Sequence, residues 1–312
     1  MALYQHPWGA SVTNEYFISD DGTVKVPARV KDDFATLRRD LLEYKWDSRD
    51  FLLSSYFKNG THYVWEIMMM LIQGSAEYVN LFKEACMIDM FPLSKVDQFI
   101  PSPRVLNSHY CLDVLPREFR GRKTVVVIRN PKDSAVSAYH HECKMLKGII
   151  RHEEFTNLPF SEYLKMHIFG RDRPYGNYFD YIEHMWPLRD DPNVLILFFE
   201  NIKMNPVENI QKINEFMGTQ RSPELIQQIA DATSFNNMKA AKISQKKQNA
   251  VLSESFMKIT NKVDQMYRKG QIGDWKNHFT VADNEMVDEF LAKWPLSKEI
   301  PFVYEVPADS TE

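Results

Sequence analysis

With 312 residues and a net charge of −4 (pI ≈ 6.2), the chain is long enough to bury a sizeable core but too acidic for general nucleic-acid binding, which needs a basic surface. Its 44% hydrophobic and 26% charged residues are those of an ordinary soluble globular protein, and the longest apolar runs, "IMMMLI" and "VVVI", fall far short of a membrane span. The amino-terminal residues lack a basic stretch followed by an apolar one, so no secretory signal is expected and the protein is expected in the cytoplasm.

The elements, taken in chain order, alternate strand and helix. Residues 50–57 ("DFLLSSYF") read as a buried strand, followed by a polar turn and a helix from about 62 to 73 that Gly74 stops. Residues 104–109 ("RVLNSH") form a short strand, and 123–130 ("KTVVVIRN") the strongest one, β-branched and bounded by polar residues. A helix follows, with Pro131 in its first turn and Gly148 past its end. Residues 193–201 ("NVLILFFEN") are a further buried strand. The next helix has Asn205 as cap, Pro206 in its first position and Gly218 as stop, and another covers 222–232. The polar stretch 239–262 has weak periodicity and reads either as a mobile segment or as a plain surface linker. A lid is expected within 239–270.

Apolar strands each followed by a helix imply an α/β fold, with a central, mostly parallel sheet flanked by helices, in a single domain over 1–312. Ligands in such sheets sit at the carboxyl ends of the strands. That places the turns at 57–63, 107–111, 129–134 and 199–203 on one rim.

The first of these turns carries Lys58, Gly60 and Thr61. Glycine lets the backbone approach an anion, successive N–H groups at a helix start point at it, lysine adds charge and threonine a hydroxyl donor. A Lys-Asn-Gly turn by itself is also an ordinary loop, and the nucleotide-hydrolase loop G-x-x-x-x-G-K-[ST] is absent. Arg129 ends the strongest strand, Ser137 lies two turns into the helix after it, and Arg268-Lys269-Gly270 form a third cationic turn. Three such turns in a net acidic chain point to a ligand with more than one anionic group. The three cysteines, Cys86, Cys111 and Cys143, are odd in number and widely spaced, without a C-x-x-C; free thiols in a reducing compartment are expected, and no zinc site.

These motifs together resemble those of the cytosolic sulfotransferases, which move a sulfuryl group from 3′-phosphoadenosine 5′-phosphosulfate (PAPS) to an alcohol, phenol or amine. "YFKNGTHYVWEI" is similar to the family's Y-P-K-S-G-T-T-W loop for the 5′-phosphosulfate, and "VVVIRNPKDSAVSAYH" to its 3′-phosphate segment. "RKGQIGDWKNHFT" matches the R-K-G-x-x-G-D-W-K-N signature, and "TSFNNMK" the segment near the adenine. Lys276, Thr280, Val281 and Glu285 fit the family's K-x-x-x-T-V-x-x-x-E dimer motif. The matches run in the family's order from about residue 50 to 290.

The resemblance implies a P-loop-like turn after the first strand of the sheet, PAPS as donor, PAP as product and no metal. Lys58, Asn59, Gly60, Thr61 and His62 then bind the 5′-phosphosulfate, and Tyr63 stacks on the adenine. Arg129, Ser137, Arg268, Lys269 and Gly270 bind the 3′-phosphate. Thr233, Ser234, Phe235 and Met238 line the adenine pocket. His109, on its residue type alone more often a structural histidine, falls at the general-base position, Lys58 at that of the leaving-oxygen cation, and Ser137 restrains Lys58 until an acceptor arrives. His141 and Met266 fall near acceptor positions, with residues 1–45 expected nearby. The implied partners are a small-molecule hydroxyl or amine acceptor and a second copy of the chain through Lys276–Glu285; no nucleic acid or membrane partner is implied.

The chain departs from the family pattern at Phe57 (usually proline), Asn59 (serine), Tyr63 (tryptophan), Asn107 (lysine) and Phe199 (tyrosine). Asn107 removes a charge aimed at the sulfuryl oxygens, and Phe199 a hydroxyl near the 5′-phosphate. Three other readings stay open: a PAPS-binding homologue with little or no catalysis, a P-loop kinase, and a dehydratase that sulfates an alcohol and then eliminates the sulfate.

Overall fold

The apolar runs expected as strands pair side by side. The computed structural model describes residues 47–89, 93–113, 115, 121–145, 157–170, 175–245 and 267–307, positions 43 and 45, and the short strands at 16–18 and 25–27. Those two strands, β1 (Tyr16–Ile18) and β2 (Lys25–Pro27), form an antiparallel pair of their own. The main sheet contains β3 (Phe51–Ser55), β4 (Val105–Ser108), β5 (Thr124–Ile128) and β6 (Val194–Phe198). Its order is β4-β3-β5-β6 and every pairing is parallel. Leu53 lies opposite Asn107 on one side and Val125 on the other, and Val126 lies opposite Ile196. Every residue of β4 and β5 is buried, so both faces are covered and no polar alternation marks these strands in the sequence.

Helix α1 (Thr61–Gln73) is apolar almost all round and packs inside the molecule, with Trp65, Ile67, Met68 and Leu71 fully buried. The indole of Trp65 donates to the Val105 carbonyl at 2.9 Å, and Gly74 ends the helix in the left-handed conformation, as its place in the sequence implies. After α2 (Leu93–Phe99), helix α3 (Pro131–Tyr139) starts where Asn130 Oδ1 accepts from the Asp133 N–H at 2.8 Å. Helices α4 (Phe160–Phe169) and α5 (Tyr178–Met185) follow. Then come α6 (Phe199–Met204), α7 (Pro206–Met217), α8 (Pro223–Ala232) and α9 (Phe235–Gln245). The last helix, α10 (Val281–Lys293), begins in a reciprocal capping box between Thr280 and Asp283. Among the described residues no helix is long and apolar enough to cross a membrane.

Four expectations change. The strand expected over 193–201 stops at Phe198, because its neighbour β5 ends opposite it at Ile128 and no ladder partner remains; Phe199 starts α6 instead. The helix expected toward Gly148 widens into a π-helix over His140–Met145, and Gly148 lies outside the described residues. Asn205 makes no side-chain cap; its carbonyl accepts from Asn209 Nδ2 at 2.8 Å. The segment expected as a lid begins as the second half of α9, where Lys242 is buried; residues 246–266 lie outside the described residues.

Candidate active site

Each strand of the parallel sheet delivers a side chain from its carboxyl end to one cleft: Lys58 after β3, His109 after β4, Arg129 after β5 and Phe199 after β6. The cleft opens to solvent.

The turn after β3 is held tightly. Lys58 has φ +69°, rare for a residue with a side chain, and Gly60 has φ +106°. A Cβ at Gly60 would stand 2.6 Å from Phe199 Cδ2, so glycine is required for both conformation and space. Thr61 Oγ1 lies 2.6 Å from Ser55 Oγ. Asn59 does not line the cleft; its side chain is buried and accepts from Ser134 Oγ at 2.9 Å, tying the turn to α3. Desolvation pulls the Lys58 ammonium down to about 8; the charges of Lys83, Arg129 and Arg268 add to the drop and Glu84 opposes it.

Arg129 joins two loops. Its Nη1 donates to the Lys58 carbonyl at 3.3 Å and its Nη2 to the Gln271 carbonyl at 3.2 Å. The guanidinium stacks 4.5 Å from the Phe199 ring centroid. Its Nε is buried and has no hydrogen-bond partner among the described residues.

The third cationic turn is fixed from below by acids. Asp274 lies 2.5 Å from Arg268 Nη2 and 2.6 Å from Lys269 Nζ. Burial pushes its carboxyl up, but hydrogen bonds from Lys269, Asn277 and Arg268 hold it well below the usual carboxylate range. Asp133, in the first turn of α3, accepts from the Gly273 N–H at 2.8 Å and the Trp275 N–H at 2.9 Å. Asp133 thus clamps the loop against α3, while Asp274 braces the two cations within the loop. Gly270, at φ +60°, leaves no room for a side chain, since a Cβ would meet Phe235 Cδ2 at 2.4 Å.

His109 has a defined tautomer. Its Nδ1 lies 2.8 Å from the Ser55 carbonyl, which can only accept, so Nδ1 carries the proton and Nε2 is the basic nitrogen. The His109 N–H donates to Asp89 Oδ2 at 2.6 Å.

Ser137 and His141 also face the cleft, the latter from the π-helix, and Thr233, Phe235 and Met238 line its other end with Tyr63. Ser234 does not line it; its carbonyl accepts from the Met238 N–H at 2.9 Å and opens α9. Met266 lies outside the described residues. His62 lines the wall with its Nε2 at 2.8 Å from Glu84 Oε1; burial, with Lys83 and Lys58 adding to it, lowers its pKa to about 4 despite Glu84.

Lys83, Glu84, Met87, Lys203 and Tyr267 line the cleft without having been singled out in the sequence. Lys83 and Glu84 belong to a short 3₁₀-helix (Lys83–Cys86), and Lys203 Nζ sits 5.5 Å from the centroid of the Tyr63 ring. The "KE" pair carried no sequence signal beyond its charge. Away from the cleft, Cys111, Asp113 and His184 bring potential ligand atoms within 4.8 Å of one another, a grouping that no sequence spacing announces.

A parallel sheet whose strand ends gather a glycine turn, lysines and arginines around one cleft defines a binder of a ligand with several anionic groups. The model of the sulfotransferase domain matches residues 48–297. Human sulfotransferase 1C2 is 31% identical over 299 residues, which cover 92% of this chain and 95% of that protein. Mouse sulfotransferase 1A1 is 33% identical over 255 residues, covering 78% and 84%. A mouse sulfotransferase crystallised with PAP superposes with a TM-score of 0.68 at 24% identity, over 91% of this chain and 97% of that one. Retinol dehydratase, crystallised with androsterone and PAP, gives 0.68 at 19% identity over 93% and 91%. The chain belongs to the sulfotransferase family.

Proposed function

We propose that this protein transfers the sulfuryl group of PAPS to a hydroxyl or amine of a small-molecule acceptor. The observation that carries the reading is the convergence of Lys58, His109 and Arg129, from three adjacent strand ends, on one cleft where a buried Arg129 Nε lacks a partner among the described residues. A donor nucleotide with phosphate groups at both ends would complete that arginine and the Arg268–Lys269–Gly270 turn at its 3′-phosphate, with Ser137 beside them. Its 5′-phosphosulfate would lie on Lys58, Gly60 and Thr61, and its adenine between Tyr63, Thr233, Phe235 and Met238. Asn59 and Ser234 then hold the walls, and His62 braces one wall through Glu84.

In the transfer, the acceptor oxygen gives its proton to His109 Nε2 and forms the new S–O bond. The bond from sulfur to the bridging oxygen breaks, and its electron pair stays on the 5′-phosphate of PAP. Lys58 meets the charge growing on that oxygen, a preorganised cation where charge develops. The separation of roles resembles phosphoryl transfer, in which positioning and electrostatics carry most of the acceleration. Lysine, arginine and backbone dipoles suffice for the leaving group, so no step calls for a metal. His141 belongs to the acceptor side in this reading. In this reading the single domain works in the cytoplasm and pairs with a second copy through Lys276–Glu285, where Val281 is 76% exposed.

The test is incubation with sulfur-labelled PAPS and a phenol, a steroid and a polar amine or alcohol, with mass analysis of the products. A sulfated product with release of PAP supports the reading. An unsaturated, sulfate-free product would establish the dehydratase instead, and binding of ATP–Mg in preference to PAPS would establish a kinase. Binding of PAPS with no label reaching any acceptor would make the chain a non-catalytic homologue.

A further inference from the structure

The cleft wall holds a further ammonium, a buried one, that the transfer step above leaves without a task. Lys83 is 3% exposed, yet it lines the cleft. Its Nζ donates to Asn107 Oδ1 at 3.3 Å, and Asn107 Nδ2 donates back to the Lys83 carbonyl at 2.8 Å, so one asparagine fixes both the backbone and the head of the lysine. Glu84 Oε1 lies 3.5 Å from the ammonium but only 2.8 Å from His62 Nε2, so its charge is shared. An ammonium has three donors, and a buried one is costly unless they are matched. Here the hydrogen bond to Asn107 and the long contact to Glu84 leave donor capacity for a ligand in the cleft.

The place of that ammonium is informative. Asn107 stands two residues before His109 on the same strand end, so the group it holds is brought to the His109 side of the cleft. The charge of Lys83 also reaches Lys58, whose ammonium it helps to lower. Lys83 therefore belongs with the residues on either side of the group in transfer: the base that takes the acceptor proton and the cation that receives the leaving oxygen.

We propose that Lys83 is a further catalytic residue that donates to a non-bridging oxygen of the sulfuryl group as it passes from the 5′-phosphate to the acceptor. Position 83 then supplies, from a different element, the charge that Asn107 lacks, and Asn107 holds that charge in place. The step stays balanced: the three sulfuryl oxygens move with the sulfur, the bridging electron pair stays on PAP, and Lys83 lends hydrogen bonds without giving up a proton. The inference rests on the sulfuryl-transfer reading above.

The experiment compares wild type with Lys83→Met, an apolar chain of similar length, by steady-state transfer from PAPS and by calorimetric titration with PAP. PAP lacks the sulfuryl group, so it reports folding and nucleotide binding without the proposed contact. Lys83→Met should lower kcat by about 100-fold, the size of removing one preorganised donor, while the KM for PAPS and the Kd for PAP stay within about threefold. Adding Asn107→Lys to Lys83→Met should recover about tenfold or more of kcat, as the restored charge lies beside the same oxygens. Should Lys83→Met fail to bind PAP through misfolding, Lys83→Gln is measured in the same way.

A kcat within about threefold of wild type would overturn the proposal, being far below the cost of a lost transition-state donor. Equal losses in kcat and in PAP affinity from a folded variant would overturn it too, by assigning Lys83 to the nucleotide. Either result leaves wild-type transfer intact, whereas a wild type that transfers nothing from PAPS would sink the parent reading and this one with it.

Discussion

Lys242 Nζ lies 2.5 Å from Glu66 Oε1, and both side chains are at most 2% exposed, so an ion pair inside the protein ties α9 to α1. Helix α1 follows directly from the Lys58 turn, and α9 carries Phe235 and Met238 into the cleft. The pair thus fixes the two ends of the proposed nucleotide site relative to each other. Removing one partner of a buried pair leaves the other charge uncompensated. Lys242→Ala should cost about 3–5 kcal/mol of stability in chemical denaturation, whereas Lys242→Met combined with Glu66→Leu should recover most of it.

Lys58 sets activity against stability. Lys58→Ala should lower turnover by about 100-fold or more, the effect of losing one preorganised charge; a loss of only two- to threefold would remove Lys58 from the leaving-group role.

The same lysine makes a pH prediction. Its ammonium titrates near 8 in the folded protein and near 10.5 when unfolded, so between those values the unfolded chain binds more protons and stability rises with pH. Below pH 8 the desolvated charge is a constant cost. Lys58→Met should therefore raise the Tm most at neutral pH, with an advantage that shrinks as pH climbs from about 8 toward 10.5. PAP, an anion that favours the charged lysine, should bind wild type more weakly as pH rises through 8, and Lys58→Met should lack that dependence. Calorimetry over that range measures both.

Gly60 meets two constraints at once. Gly60→Ala puts a side chain at φ +106° and a carbon 2.6 Å from Phe199 Cδ2. The backbone strain alone costs about 1–3 kcal/mol. Thermal unfolding should show the loss, and PAP affinity should fall with it because the turn must shift. Phe199→Ala in the same protein should relieve the contact and not the strain, so recovery should be partial.

The frame was legible because its determinants are local. Apolar runs of strand length, Gly74 and Gly218 as stops, and Pro131 and Pro206 at helix starts all act within a few residues of the feature they specify. The site's skeleton was legible for a related reason: His109 and Arg129 sit immediately past a strand and Lys58 in the turn that follows one, and parallel strands align their ends. What escaped depends on distant partners. Lys83 is buried through a contact with Asn107, 24 residues along the chain, from a 3₁₀ turn too short to leave a period. Helix α9 looked like a linker because a buried ion pair to α1 holds it and no broad apolar stripe marks it. Asn59 and Ser234 sit in the expected segments, but their neighbours' side chains, and not theirs, face the cleft.

The account turns on His109 as the base that opens sulfuryl transfer. The most direct measurement pairs label transfer from PAPS with PAP titration for wild type and His109→Ala. The account predicts that His109→Ala abolishes transfer and binds PAP within about threefold of wild type, since the histidine acts on the acceptor proton and not on the nucleotide. Near-normal transfer by His109→Ala would contradict it.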